Sequence, residues 1–568
     1  MNDLFFEKPA GEISIVLSGA AGQGIQTVEY IFTKVAKDSG FYVFATKEYM
    51  SRVRGGNNTT ELRISEKPVY AYVDRIDIVV PLNNNALERI RKRISEKTII
   101  LGSPKYVEGE KNSIPVKFEE IAESFGNKIY ANSVAIGVLS GIIGADEDKL
   151  IQNISEHFQK KGEKIVKDNI NAALKGFEIG KTLGLNYEIK PDEKVRSQIL
   201  LNGSVAVARG AIAGGCNFIS SYPMSPSTAV FTELSRLSNE YGIIIEQAED
   251  EIAAANMAIA AWYAGARAMA TTSGGGFALM TEAMSLAGMI ETPVVVHIGQ
   301  RPGPATGLPT RTEQADLNLV LYAGHGEFPR IIYAPGNLEE AYLLSAKAFN
   351  MADKYQIPVF LLTDQYLLDS FYNIDEFPEI EIERYVVKTS ENYRRYEVTD
   401  DGISPRGIPG YGDGLVRVDS DEHDEFGHIT ESSEVRIKMV DKRLKKTQKI
   451  LEDFEPPKLF GGDEFDYLVV CWGSTQQIVK EAVEKLGNEK IAVLHFSQVY
   501  PLHSSVKKYF EKAKKTIFVE QNATGQFANL LKLEFGVDTS TRILKYSGYV
   551  FSVEEVAQRI LGEVEKDV

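Results

Sequence analysis

Asn217-Phe-Ile-Ser-Ser-Tyr-Pro-Met-Ser-Pro-Ser227, followed by Thr228, is the stretch from which the fold of this chain is read. A short apolar run ends in Ser220-Ser221, Pro223 and Pro226 bracket Ser225, and a helical pattern opens near Thr228. Proline fixes φ and biases the preceding residue away from the helical region, so Ser225 is expected on a stiffened turn at the mouth of a strand. In open α/β sheets, turns at the carboxyl ends of strands are where ligands bind. The bland alternative is a Pro-Ser turn that only caps a helix.

The regions on either side alternate strand and helix. Gly242–Glu246 is a β-branched strand, and Glu249-Asp250-Glu251 opens an apolar helix over Ile252–Ala264. Acids at a helix N-terminus are ordinary dipole partners, but this helix is apolar on most faces, so an acid at its head points into an interface. Ala266–Ala270 is the next strand and runs into Thr271-Thr272-Ser273-Gly274-Gly275-Gly276. Pro293–His297 leads into the loop that begins at Arg301, and Arg330–Ala334 and Pro358–Leu362 continue the alternation. The pattern predicts a doubly wound, mainly parallel sheet.

At 568 residues the chain is too long for one core. Its formal charge of −16, from 63 basic and 79 acidic residues, argues against nucleic acid, which needs a basic face. The most apolar segment, Ile252–Ala264, is too short to span a bilayer, and the first residues show neither a basic region nor a long apolar run. A cytoplasmic protein is expected. The two cysteines, Cys216 and Cys471, cannot supply the four ligands of a usual iron–sulfur cluster.

Near the start, Glu12–Ser18 reads as a buried strand that turns through Gly19-Ala-Ala-Gly22-Gln-Gly24 into a helix from Ile25. Glycines there let a backbone approach a phosphate, although their order is not that of the Rossmann fingerprint. A second polar loop, Ser51–Asn58, contains Arg52 and Arg54 and precedes the alternating strand Thr60–Ile64. Further on, Asp375–Pro457 is irregular. Its Gly410–Gly414 run lacks the later asparagine that a thiamine diphosphate metal motif requires. His423 and His428 lack the spacing of two ligands on one helix face, so no metal site is expected. A last α/β region begins with the strand Tyr467–Trp472 and includes Glu520–Gln526.

Several of these stretches, in this order, resemble one family. Tyr222-Pro-Met-Ser-Pro-Ser227 is similar to the Tyr-Pro-Ile-Thr-Pro-Ser motif of the 2-oxoacid:ferredoxin oxidoreductases, with Met224 for Ile and Ser225 for Thr. Glu251 in its Ala-Glu-Asp-Glu-Ile context, Thr272–Gly276 and Gln300–Thr310 resemble the alpha subunit, and the N-terminal segment resembles the gamma subunit. The resemblance implies three α/β domains with mainly parallel sheets. These are a gamma-like domain (1–184), a pyrimidine-type thiamine-diphosphate domain (199–374) and a transketolase C-terminal-like domain (461–568). A linker (185–198) and an irregular interface segment (375–460) join them.

It also implies the chemistry: CoA-dependent oxidative decarboxylation of a 2-oxoacid, most readily 2-oxoglutarate to succinyl-CoA, with electrons passed to ferredoxin. Glu251, Pro226, Thr272 and Ser273 are then cofactor residues. Tyr222, Ser225, Arg301, Thr310 and Arg311 are substrate residues, with Glu251, Arg301 and Ser225 catalytic. Gly22, Gly24, Arg52 and Arg54 are candidates for coenzyme A. A beta subunit is expected to bring the diphosphate site, Mg²⁺ and a [4Fe-4S] cluster, in an (alpha-beta)2 heterotetramer. The alternatives are a pyruvate or branched-chain/aryl 2-oxoacid enzyme, or a nucleotide-binding dehydrogenase subunit using Gly19–Gly24.

Overall fold

The computed structural model describes residues 9–20, 22–50, 57–185 and 187–566. The chain forms two compact units. The first comprises the residues up to Asn202 with Asp369–Glu376 and Ser552–Glu554, and the second comprises Gly203–Leu368, Phe377–Phe551 and the chain from Glu555. The protein is α/β throughout, and no described helix is long and apolar enough to cross a membrane.

The first unit is built on an eight-stranded sheet. Ser113–Pro115, Ile99–Gly102, Ile78–Pro81 and Glu12–Ala20 run parallel. Asn57–Ser65, Tyr42–Glu48, Phe371–Ile374 and Ile199–Asn202 follow in antiparallel succession. The strand Glu12–Ala20 thus has an antiparallel neighbour on one side, which is not the setting of the first strand of a Rossmann unit. Asn57–Ser65 carries the polar alternation expected for Thr60–Ile64, yet that face is buried. Glu61 pairs with Arg93 at 2.9 Å and Arg63 with Glu12 at 3.0 Å. Burial pushes the Glu12 carboxyl up, but Arg63 and Arg75 override it and hold it at about 2. Two helices, Ala131–Ile142 and Glu163–Thr182, approach so closely that a Cβ at Gly137 would lie 1.9 Å from the Ala173 carbonyl oxygen. Glu193–Ser197, within the stretch read as a linker, forms a short helix.

The second unit contains two sheets. The larger has the order Gln498–Tyr500, Ile331–Tyr333, Pro358–Asp364, Val294–Gln300, Ala268–Thr272, Phe218–Ser221, Ile244–Gln247, and only its first pair is antiparallel. All seven residues of Val294–Gln300 are buried, as the apolar run demands, and the strand continues three residues past His297 to end just before Arg301. The smaller sheet runs Lys458–Phe460, Ile491–Phe496, Tyr467–Trp472, Lys515–Glu520, Arg542–Leu544 and is parallel after its first pair.

Most of the 375–460 segment is irregular, but Ser433–Glu452 is a helix of 20 residues. It is fastened to the central layer by a buried ion cluster in which Lys442 and Lys446 each stand 2.6 Å from the Glu291 carboxylate. His423 lies within this segment, with its ring over Tyr396 at 3.9 Å between centroids.

Candidate active site

The carboxyl ends of the central strands converge on the predicted residues. Ser221, Gln247, Thr272 and Gln300 are the last residues of four of these strands. Hydroxyls bind neighbouring segments together there: Ser220 Oγ donates to the Ala254 carbonyl at 2.6 Å and Ser221 Oγ to the Thr271 carbonyl at 2.7 Å.

The helix Glu251–Tyr263 begins at Asp250, whose side chain accepts the Ala253 N–H at 2.8 Å. With Asp250 serving as the cap, Glu251 is free to turn inward, and it is only 3% exposed. Its Oε1 is closed off from solvent and has no hydrogen-bond partner among the described residues. An unpaired buried carboxylate oxygen is costly, and such a group is retained where a ligand or a reaction needs it.

The Glu251 side chain meets the first turn of the helix Gly274–Met289. A Cβ at Gly276 would stand 2.1 Å from Thr272 Oγ1 and 2.5 Å from Glu251 Oε1, so only glycine lets these two side chains pack this close to the helix backbone. Ser273 is the N-cap residue of the helix, yet its side chain makes no capping bond, and its buried Oγ has no partner among the described residues. Glu251 and Thr272 thus pack against the Gly276 backbone, and two buried oxygens of this cluster, Glu251 Oε1 and Ser273 Oγ, have no partner among the described residues. These residues fit a thiamine aminopyrimidine in their chemistry: a buried carboxylate with an unpartnered oxygen beside the hydroxyls of Thr272 and Ser273.

Behind this cluster lies His297, buried in the central strand. Its Nδ1 is 2.7 Å from Thr271 Oγ1 and its Nε2 2.8 Å from Thr363 Oγ1. Burial pushes this imidazole down to about 3, so it is neutral and acts as a fixed hydrogen-bonding strut.

Ser225 sits on an exposed turn with a cis peptide to the buried Pro226. The turn lies against the end of the central strand, where a Cβ at Gly299 would be 2.9 Å from Pro226 Cγ. Arg301 Nη1 donates to the Ser225 carbonyl oxygen at 2.7 Å. No carboxylate among the described residues lies within ion-pair distance of the Arg301 guanidinium, which excludes an ordinary surface ion pair as its role. Burial pushes it down and Asp316 draws it up. Tyr222 is 41% exposed beside this turn.

The loop after Arg301 is closed by the Leu308 N–H on the Pro302 carbonyl at 3.1 Å. Gly307 has φ +51°, and a Cβ there would lie 1.8 Å from the Pro302 carbonyl oxygen. Thr310 is half-buried near its end, and the Arg311 guanidinium stacks over the Tyr549 ring at 4.5 Å. The structure thus brings Ser225 and Arg301 together, and Glu251, Thr272 and Ser273 together. Arg311 instead faces an aromatic ring of the smaller layer.

Sequence reasoning missed how the loop is held. Gln314 Nε2 donates to the Trp472 carbonyl at 2.7 Å, and its backbone N–H donates to the Gln521 carbonyl at 2.7 Å. Asn522 and Gln526 reach the same segment. Glu520–Gln526, readable as a strand-end turn with caps, is that, since Glu520 accepts the N–H groups of Phe527 and Ala528. It is also the brace of the Arg301 loop. Asp316 was missed as well: its carboxylate packs against Gly274, and no local pattern marks it.

In the first unit, Gly22 and Gly24 adopt φ +87° and +81°, and Gly24 caps the helix Ile25–Asp38. A Cβ at Gly24 would lie 2.1 Å from Asn132 Nδ2. Arg52 and Arg54 lie outside the described residues. Glu48 is paired with Arg89. Cys216 and Cys471 are both buried and unpaired, and burial pushes the Cys216 thiol up to about 12.

Two family models match this chain. One, described as pyruvate flavodoxin/ferredoxin oxidoreductase, thiamine diP-binding, spans residues 209–442, and a pyruvate ferredoxin/flavodoxin oxidoreductase model spans 14–179. The chain is 33% identical to the 2-oxoacid:ferredoxin oxidoreductase subunit alpha of Sulfolobus sp., over 98% of each chain. It is 31% identical to the 2-oxoglutarate synthase subunit KorA of Archaeoglobus fulgidus, covering 64% of this chain and 99% of that one. Its structure is similar to that of the 2-oxoglutarate:ferredoxin oxidoreductase from Magnetococcus marinus, solved with 2-oxoglutarate, coenzyme A and succinyl-CoA bound. The TM-score is 0.92 at 29% identity, over 98% of this chain and 100% of that one. With both models on one polypeptide and a full-length match to its relatives, the chain belongs to the 2-oxoacid:ferredoxin oxidoreductases, as an alpha subunit with the gamma-type region fused ahead of it and a thiamine diphosphate-binding domain at its centre.

Proposed function

We propose that this subunit supplies the aminopyrimidine and substrate-carboxylate halves of an active site for 2-oxoglutarate oxidation to succinyl-CoA. The carrying observation is the buried Glu251 Oε1, unpartnered among the described residues and packed against Gly276, in the same layer as an Arg301 that forms no ion pair among the described residues. Thiamine diphosphate, when bound, supplies the carbanion chemistry. Glu251 holds the proton exchanged with the aminopyrimidine nitrogen, and Pro226, Thr272 and Ser273 line the cofactor's place.

Arg301 takes the 1-carboxylate, since a guanidinium matches a carboxylate in bidentate fashion. Decarboxylation disperses that charge, so an overly strong grip would stabilise the ground state. The role assigned to Arg301 is therefore orientation, assisted by the hydroxyls of Ser225 and Thr310 and by Tyr222. Arg311 is the candidate for a distal carboxylate. The phosphates of coenzyme A are assigned to the turn of Gly22 and Gly24 with Arg52 and Arg54.

Two cysteines are too few for a cluster, so the [4Fe-4S] centre, with Mg²⁺ and the diphosphate site, is assigned to a beta subunit in an (alpha-beta)2 assembly that reduces ferredoxin. The Magnetococcus enzyme and the KorA subunits carry 2-oxoglutarate in their names, which supports that substrate. A broader 2-oxoacid enzyme, accepting pyruvate, is the second reading, because the full-length relatives are named for 2-oxoacids at large.

The test is a substrate screen on the coexpressed complex, following CoA-dependent ferredoxin reduction. The highest kcat/KM is expected for 2-oxoglutarate, and a preference for pyruvate or branched-chain acids would replace it with the second reading.

A further inference from the structure

Asp316 stands where the Arg301 loop ends. Its carboxylate lies on the first turn of the Gly274–Met289 helix, such that a Cβ at Gly274 would come within 2.3 Å of both its oxygens. The Asp316 Oδ2 is closed off from solvent and has no hydrogen-bond partner among the described residues. Its backbone is held in place, with the N–H donating to Gln300 Oε1 at 3.0 Å. Gln300 is the last residue of the central strand, immediately before Arg301. Arg301 and Asp316 interact electrostatically without forming an ion pair. Glu313, 9% exposed on the same loop, is the other charged group acting on Asp316.

We propose that Asp316 is the titrating counter-charge of the Arg301 clamp: protonated, it leaves the guanidinium's charge to an incoming carboxylate, and ionised, it opposes that carboxylate. The proposal rests on Arg301 being the substrate clamp. Had Asp316 formed an ion pair with Arg301, the pair would be fixed and the site would carry no spare positive charge. Had it been solvated, it would be ionised at every physiological pH and would give a constant field. Burial against Gly274 produces neither case. Burial first, then Glu313, push its carboxyl up to about 7, while Arg301 pulls it down. The two charge states therefore exchange near neutrality. Asp316 is a positioning residue in this scheme, because it acts on the substrate through Arg301.

The experiment titrates the assembled enzyme with oxalate, an unreactive dicarboxylate that stays fully ionised from about pH 6 to about pH 8. The oxalate Kd of the wild type is expected to rise about three- to tenfold across this range, as Asp316 ionises. Asp316→Asn should abolish the slope. Glu313→Gln should move the inflection to lower pH, a shift that loss of structural support would not produce. A wild-type slope in Asp316→Asn, or an unmoved inflection in Glu313→Gln, would overturn the proposal. Should Asp316→Asn fail to assemble, the Glu313→Gln inflection decides alone. Arg301→Lys separates the two readings. Unchanged oxalate affinity in that variant means the clamp was misassigned, whereas weakened affinity with an intact slope in Asp316→Asn means the counter-charge was.

Discussion

Arg301 Nη1 donates to the backbone carbonyl oxygen of Ser225 at 2.7 Å, so the clamp is oriented by the very turn that presents the Ser225 hydroxyl. The acceptor is a main-chain atom and survives any change of the Ser225 side chain. Ser225→Ala should accordingly keep Arg301 in place and remove only a hydroxyl, lowering kcat/KM by about tenfold, roughly 1.4 kcal/mol. A loss of two orders of magnitude or more in steady-state kinetics would mean that the serine does more than position the substrate.

Arg301→Lys keeps the charge but loses the fork, and a single ammonium cannot both hold the Ser225 carbonyl and grip a carboxylate in bidentate fashion. The expected loss in kcat/KM is one to two orders of magnitude, roughly 1.4–2.7 kcal/mol. Thermal stability should hardly change, because Arg301 takes part in no ion pair among the described residues. If Arg301→Lys is silent and Arg311→Lys is crippled, the clamp is Arg311.

Glu251→Gln preserves the volume at the helix head and replaces the carboxylate by an amide. Proton exchange at C2 of the bound cofactor, followed by NMR in the assembled complex, should slow by about 10²–10⁴-fold. Wild-type exchange would point to another acid, with Glu249 the next candidate.

Gly276→Ala places a methyl within 2.5 Å of Glu251 Oε1 and closer still to Thr272 Oγ1, so both side chains must shift. Overpacking of this kind costs about 1–3 kcal/mol. The expected readout is a lower Tm together with weaker thiamine diphosphate binding. A variant that binds cofactor like the wild type would show that this cluster is not its site.

Glu12 links the first unit to pH. Burial raises its carboxyl, yet Arg63 and Arg75 lower it further, to about 2 against 4.5 for the free group. A depressed acid contributes stability that is fully present above the unfolded value and is lost as pH falls toward the folded one. The contribution is on the order of 3 kcal/mol, disappearing between about pH 5 and pH 2. Hydrogen exchange in Glu12–Ala20 should show the wild type converging on Glu12→Gln as pH falls through this window. A constant difference between the two would remove the ion cluster as the cause.

The local sequence determined what contiguous residues settle by themselves. The Pro-bracketed Ser225 turn, the acid heading an apolar helix at Glu251, the glycines after Thr272 and the Arg301 loop each lie within a dozen residues. Their backbone preferences and periodicities point the same way, so the parallel central sheet was legible in the sequence, whereas the cofactor and substrate roles of these residues came from the resemblance to a family. The tertiary structure alone decided what depends on approach between distant segments. Gly274 and Asp316 share a space although no periodicity relates them, and Gln314 finds Gln521 and Trp472 across two sheets. The polar alternation of Thr60–Ile64 gives the faces of the strand, but only the packing shows that Arg93 and Glu12 cover the charged one. Periodicity records which way a side chain leaves its own backbone. Whether that direction meets water, an opposite charge or another chain segment is set by packing, and packing is what turned Asp316 from a loop acid into a neighbour of the clamp.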